Sequence, residues 1–251
     1  MKQRKEHSTE MHSTIDDIII HPLKTKIDKE IPPSGMFFVN PGEAHRALAA
    51  TVKSGGEELF LHNSRLSVSS DSSRFVAGPA IGAPAAVLVM EKLIALGARR
   101  IVMMGWCGAI DPDFSIGDIV VPKGAVSGEG TSKYYGDMKR PQSSREGRNS
   151  LTRMLAAAQL PWKDGDIWST DAPYRESRAF LQQLCREEHV VGVDMEFSAL
   201  CSVASFRNIE FNAVLIVSDE LWSSKWNPGF KNTTFQERCT RLLDCLLNDA
   251  L

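Results

Sequence analysis

Two apolar runs of this chain end in carboxylates. Val190-Val191-Gly192-Val193-Asp194-Met195-Glu196 is the first, and Val217-Ser218-Asp219-Glu220 is the second. Each reads as a buried strand with acids at its end. Open α/β sheets place ligand sites there, because side chains beyond the last ladder hydrogen bond face a crevice. Between the runs, Leu200, Val203, Ala204 and Phe206 recur at roughly helical spacing within 197–208. The unit is therefore strand, carboxylate, helix, strand, carboxylate. One acid at each of two strand ends can hold a polyol and protonate a leaving group in the same pocket. Asp194 and Asp219 can equally be helix N-caps, a common use of acids that follow strands. The residues alone leave both readings open.

A second kind of chemistry lies in the glycine-bearing turns. Pro41-Gly42-Glu43-Ala44-His45-Arg46 follows an apolar run and opens a helical pattern. Such a junction offers free backbone N–H groups and a positive dipole end to an anion. Arg46, one turn further in, can add a forked guanidinium grip, or it can be an ordinary surface arginine. Met104-Gly105-Trp106-Cys107-Gly108 follows another apolar run and reads as a loop. The remaining cysteines, Cys185, Cys201, Cys239 and Cys245, fall in helical patterns where small buried thiols are common. With five cysteines and no Cys-x-x-Cys pair, neither a disulfide framework nor a redox motif is expected. The histidines show no ligand spacing, so no metal site is expected.

The elements that must position these groups can be read in order. Met36 to Val39 is a strand, and a helix runs from Glu43 to about Val52. Arg74 to Ala77 is a further apolar run, and Ala85 to Leu96 a helix, with Pro84 suited to its first turn and Gly97 to its C-cap. Arg100 to Met104 and the stretch 116–122 supply more strands. Strands alternating with amphipathic helices imply a single α/β domain with a mixed, mostly parallel central sheet flanked by helices. Residues 1–15 are polar and expected to be loose, with the domain over 16–251. The 251 residues, 43% hydrophobic, suffice for one large core. A net charge of −2 argues against a surface for nucleic acid or an acidic membrane. The longest apolar stretch, 85–96, is too short to span a bilayer. The charged N-terminus lacks a signal-peptide core, so a cytoplasmic protein is expected.

The acidic runs carry a resemblance. Val193-Asp194-Met195-Glu196 with Ser218-Asp219 resembles the signature of the nucleoside phosphorylase superfamily, which includes purine nucleoside and uridine phosphorylases and 5′-methylthioadenosine nucleosidases. The resemblance implies that Met195 and Glu196 hold the ribose, and that Asp219 serves a purine N7. Pro41 to Arg46 resembles the family's Pro-Gly-Asp-x-x-Arg phosphate loop, with Glu43 in place of the Asp. Ala80 to Pro84 resembles a Gly-Ile-Gly-Gly-Pro turn, although plain strand-to-helix packing explains that segment as well. The segment 104–110 resembles the floor of the family pocket, which makes Gly105, Trp106 and Cys107 candidates there. Trp168 to Tyr174 resembles a Ser-Asp-x-Phe-Tyr run that shapes the base pocket, placing Asp171 and Tyr174 near the base. His21 lies close to the position of a family histidine that reaches a neighbour's site.

One departure bears on the reaction. Phosphorolytic members carry an Arg two residues before the first Gly of the 105–108 segment and a Thr or Ser just after it. This chain has Met103 and Trp106 there. The resemblance implies phosphorolysis of a purine nucleoside, with inorganic phosphate as co-substrate on Gly42, Arg46 and Gly105, and no other cofactor. Met103 and Trp106 keep open a phosphate-independent nucleosidase, and a non-catalytic nucleoside-binding relative is the third reading. The resemblance also implies a homodimer or a hexamer of three dimers. Residues 222–230, with Trp222 and Trp226, are placed to be a lid over the base pocket or packing at a subunit contact.

Overall fold

The structure is a computed structural model that describes residues 18–61, 63–136 and 140–248. The segment 1–15, expected to be loose, lies outside the described residues, as does His62.

The chain begins with β1 (Ser34–Phe38), α1 (Pro41–Lys53), the hairpin β2 (Glu57–Leu61) and β3 (Ser64–Val68), β4 (Phe75–Gly78) and α2 (Ala83–Leu96). There follow β5 (Arg100–Ala109), β6 (Ile119–Gly128), α3 (Arg145–Ala157), β7 (Trp162–Thr170) and α4 (Arg178–Glu188). The last elements are β8 (Val190–Asp194), α5 (Phe197–Arg207), β9 (Glu210–Glu220), the short β10 (Asn227–Pro228) and α6 (Thr233–Asn248). Among the described residues no helix is long and apolar enough to cross a membrane.

The strands form one mixed sheet in the order β10-β9-β6-β7-β8-β5-β1-β4-β3-β2. The long pairings β5–β9 and β6–β7 are parallel, as are β1–β4, β1–β5 and β7–β8. Antiparallel pairing occurs in the β2–β3–β4 edge and where β5 meets β8 and β9 meets β6. Because β9 also pairs with β5, the strands β5, β9, β6, β7 and β8 close into a ring. Such closure removes edges from the middle of the sheet.

Helices cover both faces. On one side Ala44, Ala47 and Leu48 of α1 pack with Leu151 and Leu155 of α3 and Leu242 and Leu246 of α6. On the other, Val89 and Leu93 of α2 join Leu200 and Val203 of α5. The sequence signals explain the helix ends. Pro41 and Pro84 stand in the first turns of α1 and α2, where a missing N–H costs nothing. Gly97 ends α2 at φ +126°.

One element differs from its sequence reading. Gly105 to Gly108 is not a loop, because β5 continues to Ala109. The strand is flanked by β1 on one side and β9 on the other, so its backbone groups are drawn into the ladders. A Cβ at Gly105 would lie 3.0 Å from Val39 Cγ2 and 3.1 Å from Leu215 Cδ2. The glycine serves close packing between neighbouring strands, and Cys107 is a buried strand residue.

Candidate active site

The ends of β1, β5, β8 and β9 converge on a cavity of about 590 Å³. Its wall includes Asn40, Trp106, Glu176, Glu196, Asp219 and Trp226. Met195, Asp194, Cys107, Ser218 and Tyr174 also line it. The two acidic runs of the sequence thus meet in one pocket.

The two acids named as either pocket groups or caps divide between the roles. Asp194 is buried, and its Oδ2 accepts a hydrogen bond from the Phe197 amide at 2.8 Å. Its Oδ1 accepts from the Ser169 hydroxyl. Asp194 therefore caps the first turn of α5 while its edge faces the cavity. Behind it lies a buried polar network: the Ser198 amide donates to Ser169 Oγ, and the Ser198 hydroxyl donates to Glu129 Oε1, both at 2.9 Å. Burial pushes the Asp194 carboxyl up, against the pull of Ser169 and the Phe197 amide.

Asp219 is no cap. It sits within β9, and its Oδ2 accepts from Trp226 Nε1 at 2.7 Å. The Ser218 hydroxyl lies 2.7 Å from its Oδ1 and 3.3 Å from the Cys107 carbonyl. A Cβ at Gly108 would come within 3.2 Å of Asp219 Oδ2, so the carboxylate rests against bare backbone.

Glu196 precedes α5 and is buried. Its Oε1 accepts from the Gly82 amide at 2.6 Å. Gly82 has φ +87°, a conformation that glycine adopts without steric cost. The turn at 80–84 thus does more than pack: it holds the acid, and Ile81 reaches the cavity wall. Burial raises the Glu196 pKa, and the nearby Asp194 charge adds to the rise. Cys107 is likewise pushed up by burial, then by Asp194 and Asp219, so its thiol stays protonated.

The part of the wall around Trp106 has a different character. Trp106 packs against Phe230 and Phe235, with ring centroids 5.9 and 5.3 Å apart. Met103 is fully buried in the core. Gly42, Arg46 and Gly105, expected on a bound phosphate, are not on the cavity wall. Arg46 is exposed and donates to Thr240 Oγ1 at 3.2 Å, because α6 crosses beside α1 and offers it a hydroxyl. Glu43 turns inward instead: it is buried, its Oε2 has no hydrogen-bond partner, and burial raises its pKa.

Asp171 and His21 also lie off the wall. The exposed Asp171 accepts from the Gly130 amide at 2.8 Å, which ties two loops together. His21 is exposed in the segment before β1. Tyr174 stands fully exposed at the rim. Sequence reasoning missed Asn40, Gly82 and Glu129, and it read Arg175, Glu176 and Arg178 as charges on the first turns of a helix or as anion contacts. The first two belong to turns whose motifs were recognised for other residues. Glu176 lies among charges that look like the first turn of a surface helix. Among the described residues no three His, Cys, Asp or Glu side chains cluster to hold a metal ion.

Comparison with known proteins follows the same lines. The Phosphorylase superfamily model matches residues 40–248. A guanosine phosphorylase of Halorubrum lacusprofundi is 29% identical over 58% of this chain and 61% of its own length; the chain thus spans less than two thirds of that relative. A DeoD-type purine nucleoside phosphorylase of Brevibacillus brevis is 27% identical over 68% of this chain and 74% of its own. Among solved structures, the purine nucleoside phosphorylase of Toxoplasma gondii in complex with immucillin-H superposes with a TM-score of 0.76 at 19% identity. It covers 87% of this chain and 90% of its own, a likeness of fold.

Proposed function

The chain belongs to the phosphorylase superfamily, enzymes of the nucleoside phosphorylase, pentosyl-transferring kind, and on that premise we propose that it breaks the N-glycosidic bond of purine nucleosides by transferring the pentosyl group to water. The observation that carries this reading is the surrounding of Trp106 on the cavity wall. Arg46 is turned to Thr240, Met103 is in the core, and Trp106 with Phe230 and Phe235 fills the space beside a buried Glu43. The one guanidinium on the wall among the described residues, Arg178, is engaged by the Ser223 and Ser224 carbonyls. A phosphate dianion there would meet the aromatic faces of Trp106 and Phe230. Each missing charge-assisted contact forgoes about 1.5–3 kcal/mol.

The sugar hydroxyls bind Glu196, whose charged form they favour by donating to it. A carboxylate at this place stabilises the positive charge that grows on the sugar as the bond breaks. The electron pair of the C1′–N9 bond moves into the base, which takes a proton at N7 on the Asp219 side and leaves neutral. Water adds its oxygen to C1′ and gives up a proton, so nucleoside and water become free base and free pentose. Asn40 supports the placement of that water: it lies on the wall, and its buried Oδ1 has no hydrogen-bond partner. An oxocarbenium-like transition state asks little of its nucleophile, so an oriented water suffices.

Phosphorolysis is the second reading. The first turn of α1 has no side-chain cap and starts beside Asn40, so free amides stand near the cavity, and the named relatives are phosphorylases. A homo-oligomer, dimer or three-dimer hexamer, is part of either reading. It is supported by the exposed Ile19, Ile20, Leu23 and Ile27 around His21, and light scattering would test it. The experiment on function is base release from inosine, adenosine, guanosine, 5′-methylthioadenosine and uridine, with and without phosphate. Purine release at a rate unchanged by phosphate is expected. A strict need for phosphate would establish the second reading, and cleavage of uridine alone would overturn the role given to Asp219.

A further inference from the structure

Residues 222–230, readable in sequence as a lid or as a subunit contact, leave the end of β9 and turn back along it. β10 pairs antiparallel with β9, Asn227 opposite Glu220 and Pro228 opposite Asp219. The Gly229 amide donates to the Ser218 carbonyl at 2.8 Å, and Asn227 Nδ2 donates to Glu220 Oε2 at 2.9 Å. A Cβ at Gly229 would lie 2.6 Å from the Ser218 carbonyl oxygen, so glycine is what lets the returning chain come this close.

The segment is also tied near its start. Arg178, at the first turn of α4, donates to the Ser223 carbonyl and, at 2.8 Å, to the Ser224 carbonyl. Trp226 stands between these two fastenings. Its ring crosses that of Phe230 at 61°, with centroids 6.3 Å apart, and its Nε1 donates to Asp219 Oδ2 at 2.7 Å. An indole has a single polar hydrogen and accepts nothing, so this bond has one direction. Trp226 is 59% exposed, so water can serve its N–H and burial does not force the bond. The course of the backbone does.

Resting on the reading that Asp219 serves the N7 side of the leaving base, we propose that Trp226 is a positioning residue for base release: its N–H holds the Asp219 carboxyl in the orientation that meets N7, and 222–230 is the fastened strap that presents it. The terminal torsion of an aspartate is broad, so a place in β9 does not by itself fix the plane of the carboxyl. Trp226 Nε1 on Oδ2 fixes one edge, and Ser218 Oγ, 2.7 Å from Oδ1, borders the other. A reacting group held in its productive orientation saves the cost of finding it in each turnover. Trp226 keeps its proton throughout and acts through Asp219.

The test compares wild type with Trp226→Phe, which keeps an aromatic ring on the wall and removes the N–H. On inosine, kcat should fall about tenfold, the value of one hydrogen bond, with KM within about twofold. On 4-nitrophenyl β-D-ribofuranoside, whose phenolate leaves without a proton, kcat should change by less than about threefold. A residue that only shaped the wall would move KM and would affect both substrates alike. A loss carried by KM, equal losses on the two substrates, or inosine turnover equal to wild type would overturn the proposal and leave the reading of the site intact. Wild-type enzyme that releases no base from inosine would overturn that reading, and the proposal with it.

Discussion

In the acidic part of the cavity, Glu196 is held by the Gly82 amide, and Asp194 is tied to Ser169 and the start of α5. In a second region, Trp106 leans on Phe230 and Phe235, Arg46 looks away, and Glu43 and Asn40 carry buried oxygens without partners. The first region is a finished polar site, with each acid oriented by hydrogen bonds from separate elements. The second has the uncapped start of α1 and an Arg46 whose guanidinium bonds Thr240. On the proposed reading, the difference teaches that the grip on the sugar and the choice of acceptor are independent modules of one fold. Changing a few side chains at β5 and α1 can alter the acceptor and leave the sugar site untouched.

The largest expected effect lies at the finished end. Glu196→Gln should lower kcat/KM on purine nucleosides by about 10²–10³-fold, because it removes a charge aimed at the developing cation. Near-wild-type turnover by this variant would break the comparison at its stronger side. Next comes Trp106→Thr, which removes the aromatic plug and supplies a hydroxyl. Phosphate should then accelerate base release several-fold, about the value of one new hydrogen bond, where it has no effect on wild type.

A smaller effect is a matter of pH. The Glu176 pKa is raised from 4.5 to about 7 in the folded protein. A raised carboxyl contributes stability that is full below its unfolded value and lost as pH rises through the folded one. Urea midpoints should therefore fall between about pH 4.5 and 7, and Glu176→Gln should flatten that part of the curve. The smallest effect belongs to Arg46→Ala. An exposed arginine bonded to a surface threonine should change kcat/KM by less than about twofold. A tenfold loss with phosphate present would return Arg46 to the active site.

The meeting of the two acidic runs in one cavity was legible in the sequence because strand ends and buried acids leave strong local marks. The apolar runs at 190–193 and 214–217 are β8 and part of β9, and their acids meet where strand ends should bring them. The sheet class was legible from alternation alone, whereas the closing of the ring by β9 and β5 was not, since a second partner for one strand leaves no local pattern. The secondary structure of the glycine-bearing segments differs from its sequence reading for a physical reason. Gly105 and Gly108 look like loop glycines in one dimension, yet they are close-approach positions inside a strand. Arg46 matches its motif in spacing, but its direction is set by α6, nearly two hundred residues away in sequence. Glu176, beside Arg175 and Arg178, reads in sequence as a solvated helix start or an anion contact, and the fold puts it on the cavity wall.

The most direct test of the central claim is the fate of the sugar's C1 oxygen. Inosine would be cleaved in ¹⁸O-water containing millimolar phosphate, and the products read by mass spectrometry. Free ribose carrying ¹⁸O at C1 is the predicted product, with no sugar phosphate. Ribose 1-phosphate as the main product would contradict the account and show that the aromatic end of the cavity opens to admit an anion.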